Sequence, residues 1–341
     1  MKHTKLALAG LAAGLLLLTG CTAASSQTTA DSGSKVTSSI SDPAKLKVAY
    51  FVSAANNEYL KASIDEAKKV AAENHFSVDI FDGQFSAQVQ YDQMQTALTS
   101  GKYNAFAVMS NDGNLECKFL TKDAPAAKVL VTLVNQAICG RGPNAGDQLW
   151  QPGTVTIAAG QTLDGYNAWV DDVMKKNPNG GNIALVTGPA LSTNTVSFHT
   201  AAKKFSANPK FHIVADQQTD YTTAQAFGAA QTIIQSHPDL NIIMSNYSGM
   251  TRGVVQATAG TKVHVYDFGG DQWSLDNVRK GVLESTVMML PRTEVRDALE
   301  ALVSTVKGKP VPHFIDFMKS PSLPGTPFVT KDNVDKFTAE Y

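Results

Sequence analysis

The feature that most limits the fold is a strand–helix alternation that runs twice along the chain, broken once by a stretch rich in Gly, Pro and Asn over residues 139–153. Before the break, the apolar run 46–53 predicts a strand. Residues 59–74 carry apolar or small side chains at Leu60, Ile64, Ala67 and Val70, a helical spacing, and 76–81 predicts a second strand. A helix over 87–99 and strands over 105–110 and 128–134 complete the first set. After the break the order is strand 154–157, helix 163–176, strand 182–186, helix 196–205, strand 211–215 and helix 224–236. Strands over 242–244, 263–268 and 285–290 follow. Strands joined by helices pair in parallel, because each crossover returns the chain to the same end of the sheet. The expected fold class is therefore α/β, with two doubly wound parallel-sheet lobes. In such lobes the loops at the carboxyl ends of the strands converge on the crevice, so ligand residues are to be sought there.

Composition narrows the partners. The chain has 341 residues and is 43 % hydrophobic, enough for two domains. Its 29 Lys and Arg stand against 30 Asp and Glu, so there is no overall basic field to hold a nucleic-acid backbone, and no nucleic-acid partner is expected. Only 17 % of residues are charged, below the roughly 25 % of ordinary soluble domains, so the surface is neutral and hydrogen-bonding.

The amino terminus stands apart from the fold. Lys2 and Lys5 precede an apolar run over 6–18 that is too short for the roughly 20 residues of a membrane span and suits a secretory signal. Leu18-Thr19-Gly20-Cys21 resembles a bacterial lipobox, which implies a signal peptide over 1–20 and lipid attachment at Cys21. Two acyl chains give stable anchoring where one is marginal. Residues 21–45 are rich in Ser and Thr without an apolar period and predict a flexible tether. The expected location is the extracytoplasmic face of the cell membrane. Cys117 and Cys139 are free to pair in an exported chain, and a disulfide between them is the expectation, with two separate buried thiols as the alternative.

A search for catalysis finds little. No G-x-x-x-x-G-K-[ST] loop, G-x-S-x-G elbow, H-E-x-x-H pair or C-x-x-C is present. Gly140, Gly142 and Gly146 lie beyond their strand and are followed by Pro152, so they do not open a nucleotide-binding helix. The seven histidines never fall at metal-ligand spacing. Neither an enzyme, a cofactor nor a metal site is expected.

The loops after the strands resemble those of ribose-type sugar-binding proteins of ABC importers. Asn56-Asn57-Glu58-Tyr59-Leu60 is similar to that family's Asn-Asn-Pro-Phe-Phe. Gly188-Pro189-Ala190 with Ser192 and Thr193 resembles its Gly-Pro loop, Asp220-Tyr221-Thr222-Thr223-Ala224 its Asp-Trp-Asp-Arg-Ala, and Ser236-His237-Pro238-Asp239-Leu240 its Ala-His-Pro-Asp-Ile. Phe268-Gly269-Gly270 resembles Phe-Asp-Gly, Ser285-Thr286-Val287 with Pro291 resembles Ala-Thr-Val with Pro, and residues 329–334 a common terminal stretch. The likeness implies a periplasmic-binding-protein fold of type I, whose lobes close by hinge rotation about three crossovers. These fall near 157–161, 289–291 and 315–319, giving an N-terminal lobe of 46–157 with 290–316 and a C-terminal lobe of 158–289 with 317–341.

The resemblance also implies a site. A neutral sugar or polyol needs amides or carboxylates around its hydroxyl rim and aromatic faces against its C–H groups. Asn57 and Tyr59 match the family's Asn and first Phe, although Asn57 could equally cap its helix and Tyr59 begin its core. Asp112 resembles the family's carboxylate after the 105–110 strand. Asn194 suits either the cleft or a cap for a helix at Val196, and Asn246 or Tyr247 takes the family's Asn position. Trp273 offers a stacking face or a packing contact against a helix over 275–280. Three family groups are missing: its clamping Arg corresponds to Thr195, its Asp to Gly269 and its Gln to Met289, with Asp271 or Gln272 as substitutes for the second. Losing such groups changes which ligand is recognised. The function so implied is a lipid-anchored solute-binding protein that captures a small carbohydrate-like ligand for an ABC permease. A ligand-sensing receptor for a membrane signalling partner is the alternative.

Overall fold

The computed structural model describes residues 38–341, so the expected signal segment, Cys21 and most of the tether lie outside the described residues. The apolar runs become two six-stranded sheets. The first contains β1 (Lys47–Val52), β2 (Ser77–Asp82), β3 (Ala105–Val108), β4 (Leu130–Val134), β5 (Ile157–Ala159) and β11 (Phe314–Asp316), in the order β11-β5-β4-β3-β1-β2. All its pairings are parallel. The second contains β6 (Gly181–Thr187), β7 (Phe211–Gln218), β8 (Ile242–Ser245), β9 (His264–Gly269), β10 (Ser285–Met288) and β12 (Phe328–Val329), in the order β12-β10-β9-β8-β6-β7. Only β12 runs antiparallel, along β10. The central strands are nearly continuous apolar runs because helices cover both of their faces.

Helices α1 (Glu58–Glu73) and α2 (Ala87–Thr99) cover the first sheet, with a π-helical turn and the short α3 (Ala124–Ala126) after β3. α4 (Leu163–Lys176), α5 (Thr193–Ser206), α6 (Thr223–Ser236), α7 (Ser248–Thr258) and α8 (Gln272–Arg279) belong to the second. α9 (Pro291–Val306) returns to pack on α1, β4 and β5. α4 shows why these segments are helical: Thr162 caps it through the Gly165 amide at 3.2 Å, Asp164 stands in its first turn and Lys175 and Lys176 in its last, which complements the helix dipole. Its buried face brings Trp169 against Phe198 and Phe268.

Three expectations need correction. The strand expected over 154–157, which the alternation alone places at the start of the second set, is β5, three residues later, and it is the last strand of the first lobe before the chain crosses over. α5 begins at Thr193 with Ser192 at its N-cap position, so Asn194 lies inside the first turn and is not a cap. Helix α7 has no counterpart in the sequence reading, because Gly249, Gly253 and two Thr make it a poor helix former. It is held instead by packing on α6 and by Thr251, whose hydroxyl donates to the buried Asp267 at 2.5 Å.

Three segments link the sheets: Gly160 to Thr162 after β5, Met289 and Leu290 after β10, and the stretch between β11 and β12. A disulfide joins Cys117 to Cys139 with a Cα–Cα distance of 4.9 Å. It ties down the connection that leaves β4 and reaches the other lobe, where the Thr193 hydroxyl donates to the Ala137 carbonyl at 2.9 Å and the Ser197 hydroxyl to the Gly142 carbonyl at 2.8 Å. The lobes are closed on each other.

Candidate functional site

The carboxyl ends of both sheets meet across a cleft with an inner and an outer compartment. The inner one, about 50 Å³, is floored by Asn135, Gln136, Gln161, Asn194 and Asn246, with Ser53, Tyr59, Met109 and Met289 at its sides. The outer one, about 280 Å³, opens past Glu58, Asp220, Thr222 and Arg252. Asn57, Phe85, Tyr221 and Tyr247 line both and form the neck between them.

Each wall residue is set by its local backbone. Asn57 caps α1, its Oδ1 accepting the Leu60 amide at 2.9 Å, and the same residue lines the neck. Phe85, Asn135 and Tyr221 hold φ values of 52°, 66° and 66°, a left-handed conformation costly for residues with a Cβ that clusters at functional sites. Tyr221 packs where a Cβ on Gly188 would lie 2.0 Å from its ring, so only glycine admits it there. Its ring faces Phe85 of the other lobe at 5.8 Å and Tyr247 at 6.0 Å, supplying aromatic surface at the neck.

The floor is a network of neutral groups. Asn194 Nδ2 donates to Asn135 Oδ1 at 2.7 Å and to Gln161 Oε1 at 2.8 Å. Gln161 Nε2 donates to the Tyr166 hydroxyl at 3.0 Å and to the Asn246 carbonyl at 3.1 Å. Asn135 Nδ2 donates to the Tyr59 hydroxyl at 2.9 Å. The Tyr59 hydroxyl in turn meets Glu294 behind it. Two acceptors are left over: Asn194 Oδ1 and Asn246 Oδ1 are buried without a partner. A buried amide oxygen left unpaired costs on the order of 1–3 kcal/mol, and a ligand hydroxyl is the group that would relieve it. Burial holds the hydroxyls of Tyr59, Tyr166 and Tyr247 far above their usual range, so they remain neutral donors. None of the residues flooring the inner compartment is ionised. Arrangements of this kind bind; they carry no nucleophile beside a base.

Of the residues singled out by sequence, Asn57, Tyr59, Asn194, Asn246 and Tyr247 line the cleft. Three do not. Asp112 turns its carboxylate back on its own loop, accepting the amides of Asn114 at 2.9 Å and Leu115 at 3.2 Å. Asp271 caps α8 through the Ser274 amide at 2.7 Å and pairs with Arg252 at 2.5 Å, so it does not replace the carboxylate lost at Gly269. A Cβ at Gly269 would itself lie 2.5 Å from that of Ser248, leaving no room for a side chain. Trp273 lies in an outer groove with Gln272, Arg292 and Tyr341, 5.5 Å from the Arg252 guanidinium. Phe85, Asn135, Gln136, Gln161 and Glu294 are functional candidates that sequence reasoning missed, and Tyr221 enters that reasoning only as part of a family motif. Asn135 and Gln136 follow β4 directly, where the rule of strand ends would have found them; nothing in the sequence marks Glu294.

Two closed α/β lobes around a polar cleft define a binding protein of the hinged, two-lobed class. The chain belongs to the periplasmic binding protein domain family, whose profile matches residues 48–310, a family of solute-binding proteins and not of enzymes. It is 23 % identical to the ribose import binding protein RbsB of Escherichia coli (strain K12) over 271 residues, 79 % of this chain and 87 % of that one. A solute-binding protein of an ABC transporter from Actinobacillus succinogenes 130z, solved with bound D-allose, superposes with a TM-score of 0.72 at 20 % identity, covering 86 % of this chain and 100 % of that one. The Caulobacter myo-inositol binding protein, solved with myo-inositol, gives 0.73 at 22 % identity, covering 86 % and 96 %.

Proposed function

We propose that this chain captures a small neutral sugar or polyol in the interlobe cleft and delivers it to an ABC permease, held at the extracytoplasmic membrane face by lipid on Cys21. The observation that carries the reading is the pair of unpartnered buried amide oxygens, Asn194 Oδ1 and Asn246 Oδ1, in a floor of neutral donors. A charged ligand would find no opposite charge on that floor. A hydroxylated one satisfies the two acceptors and takes bonds from Asn135 and Gln161 in exchange for those the side chains now make to each other. Tyr221, Tyr247 and Phe85 offer the faces that sugar C–H groups need. The D-allose and myo-inositol held by relatives of the same fold belong to this chemical class. The lobes of this reading are 46–157 with 290–316 and 158–289 with 317–341; β11 pairing with β5 and β12 with β10 supports the exchange of segments, and the pairing of Ala158 and Ala159 with β11 moves the first boundary from 157 to 159.

Isothermal titration against pentoses, hexoses and polyols tests the ligand class; failure of every member to bind would sink it. The anchor is tested by replacing Cys21 with Ser, which should release the protein into the soluble fraction, and the delivery step by co-purification with a permease.

A further inference from the structure

Glu294 stands in the first turn of α9, immediately after the second crossover, with 2 % of its surface exposed. Its Oε1 accepts the amide of Gly160, in the first crossover, at 3.2 Å. Its Oε2 meets the Tyr59 hydroxyl on α1, and both oxygens lie within 3.4 Å of Asn135 Nδ2 beyond β4. One carboxyl, on the helix that follows the second crossover, thus touches the first crossover and two residues that line the cleft.

No cation is turned toward it from its own helix. Arg292 bonds the carbonyls of Glu340 and Ala62, and Arg296 pairs with Glu66 and Glu73. The titratable groups that face it are the hydroxyls of Tyr59, Tyr50 and Tyr166, from α1, β1 and α4, and the Glu340 carboxylate of the terminal segment. Burial outweighs the hydrogen bonds from Tyr59, Asn135 and Gly160 and pushes the Glu294 carboxyl up to about 8, with Glu340 acting in the same direction.

The proton on Glu294 decides what Tyr59 offers. An ionised Glu294 can only accept, so it takes the Tyr59 O–H, and the phenol oxygen, already receiving Asn135 Nδ2–H, has no proton left for the cleft. A protonated Glu294 donates from Oε2 to the phenol oxygen and still accepts Gly160 N–H at Oε1. The Tyr59 proton is then free for an acceptor in the cleft that its ring lines. Resting on the carbohydrate reading above, we propose that Glu294 is a positioning residue that sets Tyr59 to donate a hydrogen bond to a ligand oxygen, so that ligand capture takes up a proton at this carboxyl.

The test is isothermal titration of D-allose and myo-inositol between about pH 6 and about pH 9, each in two buffers of different ionisation heat, which counts protons taken up on binding. For whichever probe binds, affinity should fall about tenfold as the pH rises, with net proton uptake on binding near pH 8. Glu294→Gln keeps an acceptor for Gly160 and a donor for the Tyr59 oxygen. It should bind with an affinity that no longer depends on pH, whereas Glu294→Leu should bind weakly throughout. Should the Gln variant fail to melt cooperatively, the wild-type proton count decides alone. Binding with a flat pH profile and no proton uptake overturns the proposal and leaves the carbohydrate reading intact. Absence of binding by any sugar or polyol overturns both.

Discussion

At the floor of the cleft Asn194 and Asn246 each bury an amide whose oxygen has no partner, whereas at the rim Asp271 uses one carboxylate oxygen on the Ser274 amide of its own helix and the other on Arg252. Both regions are loops or helix starts at strand ends, and both are built from short polar side chains beside aromatic rings. The difference is in how fully the fold uses them. A side chain whose hydrogen bonds are all taken by capping and ion pairing is structure, however well placed it looks; one that the fold buries and leaves unsatisfied is held for something else. The floor therefore should respond to mutation in affinity, and the rim in stability.

The largest effect should come from loosening the floor as a whole. Replacing Cys117 and Cys139 by Ser opens a loop with a sequence separation of 22 and should cost about 3 kcal/mol of stability on chain-entropy grounds. It also frees the segment carrying Asn135 and Gln136, so sugar affinity should fall along with the melting temperature. A melting transition unchanged from that of the oxidised protein would show that the bridge does not hold this segment. Next come Asn194→Ala and Asn246→Ala, each expected to weaken binding by about 10- to 100-fold, or roughly 1–3 kcal/mol, Asn246→Ala with little change in the ligand-free melt and Asn194→Ala with a lowered one, since its bonds to Asn135 and Gln161 are lost. The contrast breaks if either variant loses stability and keeps its affinity.

At the rim the signs reverse. Asp271→Ala removes a helix cap and the buried partner of Arg252, and should cost about 1–2 kcal/mol, or roughly 2–8 °C in melting temperature. Trp273→Ala removes a half-buried ring packed on the second lobe and stacked near Arg252. Neither should change sugar affinity by more than about threefold, given that neither residue lines the cleft. A tenfold loss of affinity in either variant would return these residues to the site.

Much of this was open to reading from the sequence, and the misses have physical causes. The helices over Ala87–Thr99 and Leu163–Lys176 appear where their apolar spacing put them, and Asn57 and Tyr59 line the cleft from the loop after β1. Gln161 falls within the crossover expected near 157–161, but the apolar run 154–157 ends the strand four residues before it, so it reads as hinge and not as a residue of the strand-end loop. Asn135 directly follows β4, where the rule of strand ends points, and only the left-handed backbone that sets its side chain is announced by no spacing. Glu294 looks in sequence like an ordinary acid complementing the first turn of a helix, and only the convergence of α1, β4 and β5 on that turn buries it. Trp273 and Asp271 misled for the opposite reason: their chemistry suits a sugar, and the neighbours that occupy them, Arg252 and Ser274, come from folding.

The smallest predicted effect draws the boundary between floor and rim most finely. Arg252 of the second lobe reaches across the cleft mouth to Glu58 of the first at 3.0 Å, and the Glu58 side chain is 61 % exposed. A pair so hydrated is worth under about 1 kcal/mol, because water screens the attraction and two long side chains must be ordered to make it. Glu58→Gln should therefore weaken sugar binding by less than about threefold, through a slightly less favoured closed state. The deficit should shrink toward zero at about 1 M salt, where the screening length is about 3 Å. A larger loss that persists in salt would mean that Glu58 touches the ligand directly, and the outer compartment would then belong to the recognition surface together with the floor.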